Sequence, residues 1–368
     1  SLFVMSQNKE IRVYCEMRST LGVAYFSLQN IDCQSHPSIK VILSHDNIEV
    51  MIGDVQYKII LNVVSLSPQS YSGLCISPNG VSFRVLLNVK DVINVPNAIA
   101  KNEFPSLEEL LCCQPVVITP LVSYDVSCIK CHSKLACKAY FNRVFPLPSI
   151  GWKDNIGDWF CHKSEEQLPA IRPSPGICLL GCLYSLVDIN LFSKDRVIFN
   201  NGSIKCKSCL QTIGTREQSE STAKLWHNSV MWNREGAAGT VLCPKCVILM
   251  CLKEHYFLPN QKVKFVLCPD DPDDCHASLL VWHLDSQLEI YSGTSDSNYE
   301  VTLNKSNSIK LLYAFHLMDS KSSGLRDLEQ VYIESTTFIE ICQYLKRATQ
   351  CLPEHLMKMD SYYVAIIE

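Results

Sequence analysis

The sequence has no run of apolar residues long enough to span a membrane. Its longest charge-free stretch, Ile59 to Phe83, is broken by serine, proline, asparagine and glycine, whereas a span needs roughly 20 predominantly apolar residues. Ser1–Met5 carries no basic start and no long apolar run, so no signal peptide is expected. Positive charge is also scarce. Lysine and arginine total 33 against 37 acidic residues, a net charge of −4. A protein that grips a phosphate backbone normally has the opposite balance, so direct nucleic-acid binding is not expected. Familiar catalytic signatures are missing: there is no G-x-S-x-G, no H-E-x-x-H, no Walker-type loop and no Rossmann glycine pattern. Charged residues make up only 19% against 47% hydrophobic, which excludes a mainly disordered chain. At 368 residues the chain exceeds one small module and suggests two or three domains. A soluble protein with no membrane partner is expected, in cytoplasm and nucleus.

Cysteine is abundant, with 20 residues. A chain this long does not need disulfide staples, and without a secretory signal the thiols are expected to be reduced. Some then serve as small buried hydrophobes and some hold metal. At this frequency about one C-x-x-C pair arises by chance, and three are present. Cys128/Cys131 and Cys206/Cys209 sit in matching settings, each following a strand-like residue into a polar turn. Two intervening residues let a tight turn aim both sulfurs at one ion. Two such knuckles make a closed tetrahedral four-cysteine site for one structural zinc, with no position left for substrate. Its role would be to clip the middle of the chain together and to contribute folding free energy. The alternative is a set of unmetallated thiols. Cys243/Cys246 is weaker, because Val247–Leu252 follows as an amphipathic or buried helix would, and buried core thiols are favoured over further ligands. Cys268 and Cys275 flank the acidic stretch Pro269–Asp274, read as a solvated hairpin tip.

The expected fold class is α+β and β-rich. Residues 1–114 form an antiparallel β domain, with Ile11, Val13 and Cys15 alternating against Arg12, Tyr14 and Glu16. Further strands are expected at Leu21–Leu28, Ile39–Leu43, Ile48–Ile52, Tyr57–Val63 and Val81–Val89, a spacing that suits a sandwich or open barrel. A short helix is expected from Ser106. Residues 115–260 form a zinc-clipped, cysteine-rich module with little sustained periodicity. Residues 261–368 form an antiparallel sheet with a helix, from strands at Val263–Leu267, Ser278–Leu284, Leu288–Tyr291, Ile309–Leu317, Gln330–Glu334 and Tyr362–Ile367. The helix starts at a Ser335 or Thr336 cap, repeats Phe338, Ile341, Cys342 and Leu345 on one face, and stops before Pro353.

The segment from Phe145 through Pro146, Pro148 and Trp152 to Trp159, Cys161 and His162 is the most unusual. It reads either as a loop pinned to the core by its aromatics or as a projecting recognition element, since tryptophans beside a stiff extended segment make good interface anchors. In the second reading Cys161 donates its thiolate to a partner. Three Cys-His neighbours, Cys131-His132, Cys161-His162 and Cys275-His276, are no evidence for a catalytic dyad, because adjacent residues on an extended chain point to opposite sides.

Several of these residues carry a resemblance. Cys128-x-x-Cys131, Pro146-Leu147-Pro148-Ser149-x-x-Trp152, Gly157-Asp158-Trp159-x-Cys161-His162, Cys206-x-x-Cys209 ahead of Gly214, Val281-Trp282-x-Leu284 and Val364-Ala365 occur in this order. The sequence thereby resembles the HECT-like ubiquitin-conjugating-enzyme-binding family, from about residue 120 to the end. The resemblance implies a ubiquitin-protein ligase that takes ubiquitin from a conjugating enzyme as a thioester, with Asn233–Leu252 facing that enzyme. It also implies a chaperone-like or inhibitory association with the metallo-β-lactamase-type endonuclease of pre-mRNA 3′-end processing. In that association Pro146–His162 docks at the endonuclease's metal centre with Cys161 as zinc ligand. Where the family pattern expects a cysteine after Ser335-Thr336-Thr337, this chain has Phe338, which leaves Cys342 and Cys351 as candidate ubiquitin acceptors.

Overall fold

The computed structural model describes residues 10–18, 21–31, 33, 38–61, 66–87, 115–147, 173–200, 202–216, 221–256, 263–270, 277–317 and 328–368. Pro148, Trp152, Trp159, Cys161 and His162, the helix expected from Ser106, and residues 114 and 260–261 at the two expected boundaries lie outside them. The chain divides into two compact units. The first takes Ser1–Leu110, Leu284–Leu312 and Arg347–Glu368; the second takes Leu111–His283 and Tyr313–Lys346. Strands dominate both, and the long helices among the described residues are α1 (Pro244–Tyr256) and α2 (Ser335–Gln350).

In the first unit, Leu66–Ser77, Gly80–Leu87, Val23–Gln29 and Arg12–Arg18 lie side by side as antiparallel neighbours. Arg12–Arg18 then pairs with the end of Ala277–Thr294, from Met17↔Glu289 to Arg12↔Thr294. A second sheet orders Glu300–Thr302, Val55–Ile60, Asn47–Ile52 and Ile39–Leu43. Residues two apart on these strands share a face, so Val13, Cys15 and Met17 enter one core with Phe26, Phe83, Val50 and Ile59. Phe26 and Phe83 are register partners whose rings stack at 5.7 Å.

The alternation at Ile11–Glu16 sets this face as expected, but of the intervening residues only Arg12 reaches water. Tyr14 and Glu16 are buried, Glu16 at 6% exposure. The Lys310 ammonium lies 2.9 Å from both Glu16 oxygens, and the Tyr14 hydroxyl donates to Glu16 Oε1 at 3.0 Å. Burial, and then the charge of Glu16, push the Tyr14 hydroxyl far above its ordinary value.

The second unit holds a three-stranded sheet of Val230–Arg234, Ser123–Cys128 and Lys134–Tyr140. A seven-stranded sheet runs Arg143–Pro146, Ile177–Leu180, Tyr184–Asp188, Thr222–Trp226, Thr212–Arg216, Ser203–Cys206 and Val197–Asn200. Val126, Leu135, Val187, Ile213, Leu225 and Trp232 join in one core drawn from both sheets. Gly214 is needed where strands approach closely, because a Cβ there would stand 2.1 Å from the Lys224 carbonyl oxygen. In α1, Cys246 to Leu252 are all buried, so this is a core helix and Cys246 is a core thiol. The runs expected at Ser278–Leu284 and Leu288–Tyr291 are one strand, Ala277–Thr294. The cap of α2 also differs from the expectation. Glu334, not Ser335 or Thr336, accepts from the Thr336 amide at 2.9 Å and the Thr337 amide at 2.8 Å. Its two carboxylate oxygens satisfy two orphan donors at once, where a hydroxyl would serve one, and its charge suits the helix N-terminus.

His227 follows the strand Thr222–Trp226 and is fully buried. Its Nδ1–H donates to the Cys182 carbonyl at 3.2 Å, while Nε2 has no partner among the described residues. Burial lowers it from 6.5 to about 4. A base depressed in the folded state is neutral there while the unfolded chain takes up a proton, so its stabilisation is intact above pH 6.5 and is lost as pH falls towards 4. Unfolding free energy should drop about 1.4 kcal/mol per pH unit across that window, roughly 3 kcal/mol in all. His227→Gln should flatten this part of the profile relative to wild type. Parallel profiles in denaturant titrations would show that His227 does not titrate with folding.

Candidate metal centre

Cys128 ends one strand and Cys206 another, and each opens the same kind of turn. The Cys128 amide donates to the Ser133 carbonyl at 2.9 Å, and the His132 amide returns to the Cys128 carbonyl at 2.9 Å. In the second turn the Cys206 amide donates to the Gln211 carbonyl and the Leu210 amide to the Cys206 carbonyl, both at 2.9 Å. The residue after each second cysteine is left-handed, His132 at φ 57° and Leu210 at φ 60°. A residue with a Cβ rarely adopts that conformation unless surrounding bonds hold it. Two copies of one hairpin knuckle thus face each other.

Their sulfurs converge. Cys128 Sγ lies 3.6 Å from Cys209 Sγ, and Cys131 Sγ 3.6 Å from Cys206 Sγ. All four sulfurs lie within 4.8 Å of one another. Zinc–sulfur bonds of about 2.3 Å in a tetrahedron place neighbouring sulfurs about 3.8 Å apart, which these distances fit. They are far too long for a disulfide, whose sulfurs sit about 2 Å apart. The four thiols can therefore hold a metal ion, at the residues the C-x-x-C spacing indicated.

The surroundings suit thiolates. Amides of Lys130 and Cys131 point at the Cys128 sulfur, that of Ser133 at Cys131, and that of Gln211 at Cys209. The Ser133 hydroxyl, 3.1 Å from Cys131 Sγ, brings that thiol down to about 6. Burial pushes Cys128 up to about 12 and raises Cys209. Cys128 and Cys206 are buried within the core of the second unit. Beside the second knuckle, Gln211 Nε2 donates to Glu334 Oε1 at 3.2 Å and to Thr336 Oγ1 at 3.3 Å. The knuckle is thus tied to the start of α2.

The other candidates scatter. Pro146 ends the edge strand Arg143–Pro146, where Phe145 is 43% exposed. Cys342 lies half-buried on α2, and burial pushes its thiol up to about 11. Cys351 is exposed just past the end of α2. Phe338 is buried, a core side chain of α2. The buried Glu16–Lys310 pair had no local sequence signal, because its partners are 294 positions apart.

Fold and site together define a β-rich protein with four clustered cysteines that could hold a metal ion. The chain belongs to the HECT-like Ubiquitin-conjugating enzyme (E2)-binding family, which it matches over residues 10–364. It is similar to the E3 ubiquitin-protein ligase of Mus musculus, 25% identical over 384 residues, covering 98% of each chain. It is similar also to that of Rattus norvegicus, 23% identical and covering 96% of each, and to that of Pongo abelii, 23% identical over 66% of this chain and 72% of the relative. No solved structure matches.

Proposed function

We propose that this chain is a ubiquitin-protein ligase that binds a ubiquitin-conjugating enzyme and promotes transfer of ubiquitin to protein substrates. The family match over residues 10–364 carries this reading. The four-cysteine centre holds zinc and acts as a clip. Four protein thiolates leave no open coordination position, so the ion takes no part in chemistry. Contact with the conjugating enzyme falls to Asn233–Val241 rather than to α1, since Cys246–Leu252 is buried while Arg234 and Val241 are exposed.

If ubiquitin passes through a thioester on this chain, the acceptor is Cys351. A thioester forms when a thiolate attacks the conjugating enzyme's thioester carbonyl and displaces that enzyme's cysteine thiolate. Cys342, held up to about 11 by burial, is almost fully protonated at neutral pH and is poorly placed to attack a bulky donor. Cys351 is exposed. With activating enzyme, conjugating enzyme and ubiquitin, a dithiothreitol-sensitive adduct should form on the wild-type chain, persist in Cys342→Ala and disappear in Cys351→Ala. An adduct that survives Cys351→Ala removes that residue from the role. Absence of any adduct, together with intact transfer to substrate, would make the protein a scaffold for direct transfer.

A second reading is favoured by the exposed Phe145 at the edge strand leading into the proline–tryptophan segment. Here Pro146–His162 docks on the metallo-β-lactamase-type pre-mRNA 3′-end-processing endonuclease, with Cys161 as a ligand to its zinc. Thiolate is a good zinc ligand. Cys161→Ala should abolish co-precipitation of the endonuclease while leaving the melting temperature unchanged. Undiminished capture by that variant rejects this reading.

A further inference from the structure

We propose that one face of the first unit's sheet is a docking groove for an acidic peptide segment of a protein partner, independently of the ligase reading. The pairing register lays this face out in rows. Gln29 stands between Arg12 and Gly80, Ser27 between Tyr14 and Ser82, and Tyr25 between Glu16 and Arg84. Side chains alternate along a strand, so these residues share the face turned away from the Phe26 and Phe83 core. Over it the chain from Gln350 to Met357 forms a wall, leaving a groove of about 560 Å³. Tyr25 Oη and His355 Nε2, 2.5 Å apart, join floor to wall.

The charge in this groove is one-sided. Arg12 and Arg84 both line it, and neither pairs with a carboxylate among the described residues. Glu354 is the single carboxylate among its described lining residues. Glu16 lies on the same face but is bound by Lys310. An anionic occupant is therefore favoured.

The separation of the two arginines selects its size. They sit two strands apart and four residues apart along the register. At about 4.8 Å per strand and 3.3 Å per residue, their Cα atoms are roughly 16 Å apart. One phosphate does not reach both ends, whereas about five extended residues do. Guanidiniums bind carboxylates with paired, charge-assisted hydrogen bonds, which suits glutamate or aspartate side chains at those two ends.

The test is titration of the full chain with a labelled hexaglutamate peptide. A glycine–serine peptide of the same length, inorganic phosphate and a labelled oligonucleotide serve as comparisons. Saturable binding of hexaglutamate alone is expected, weakened about tenfold by Arg12→Ser or by Arg84→Ser and partly restored by Arg84→Lys. Lys40→Ser, an exposed cation on the other sheet of this unit, should leave affinity unchanged. Both arginines are exposed, so wild-type melting temperatures are expected of the variants. The proposal fails if hexaglutamate does not saturate, or if Lys40→Ser weakens it as much. It fails equally if phosphate alone competes at the same concentration, or if the oligonucleotide binds more tightly with the same arginine dependence.

Discussion

Cys206→Ser is expected to strip the metal and unfold the core of the second unit. Purified wild-type protein should carry one zinc per chain, and the variant none. Structural zinc in small domains is worth about 10–16 kcal/mol of apparent binding free energy, comparable with or larger than the roughly 5–15 kcal/mol by which a domain is stable. Here the ion would join turns whose cysteines are 75 and 81 positions apart, and the buried Cys128 and Cys206 sit inside the apolar core. Loss of the ion would leave sulfurs 3.6 Å apart with nothing between them and a buried thiolate or thiol pair to solvate. Loss of the Trp226 and Trp232 near-ultraviolet signal reads this out. Metal affinity should also fall as pH is lowered, because Cys128, pushed up to about 12 without the ion, must give up its proton to ligate. Metal analysis finding no zinc, or a Cys206→Ser variant with unaltered melting, would overturn the architectural role.

The second large effect is expected at the buried ion pair of the first unit. Lys310→Met leaves Glu16 with its charge and one hydroxyl donor in a site where it is 6% exposed. Glu16→Leu strands the Lys310 ammonium at 4% exposure. Each single change should cost about 3–5 kcal/mol, because an uncompensated charge is left in a poorly solvated place. The double variant Glu16→Leu with Lys310→Met should recover most of this loss, since replacing both partners with apolar groups of similar volume is often near neutral. Denaturant titration of the four proteins gives the coupling. A double variant whose loss equals the sum of the two singles would mean the residues act independently.

The legible parts of this protein were those whose cause is local. Ile39–Leu43 and Tyr362–Ile367 were visible as apolar runs and are strands with those bounds. The face of α2 was visible in Phe338, Ile341 and Leu345, all buried. The strand Leu66–Ser77 was not visible, because its serines, Pro68 and Gly73 break any period of two. It is a strand because Gly80–Leu87 offers it a partner, at the expense of two register shifts. Ala277–Thr294 was divided in two at the polar residues Asp285 to Gln287, which a strand of 18 residues carries through by pairing on both sides of them.

The amino-acid sequence by itself picked out the four cysteines that could hold a metal ion, because a C-x-x-C that follows a strand into a polar turn aims both its sulfurs one way. It likewise determined the family and the β-rich class. Tertiary structure alone decided that the two knuckles meet, that Glu16 finds Lys310, and that Arg12 and Arg84 share one groove. Each of these depends on contacts between residues far apart in sequence or on cross-strand register, and neither is written in a residue's immediate neighbours.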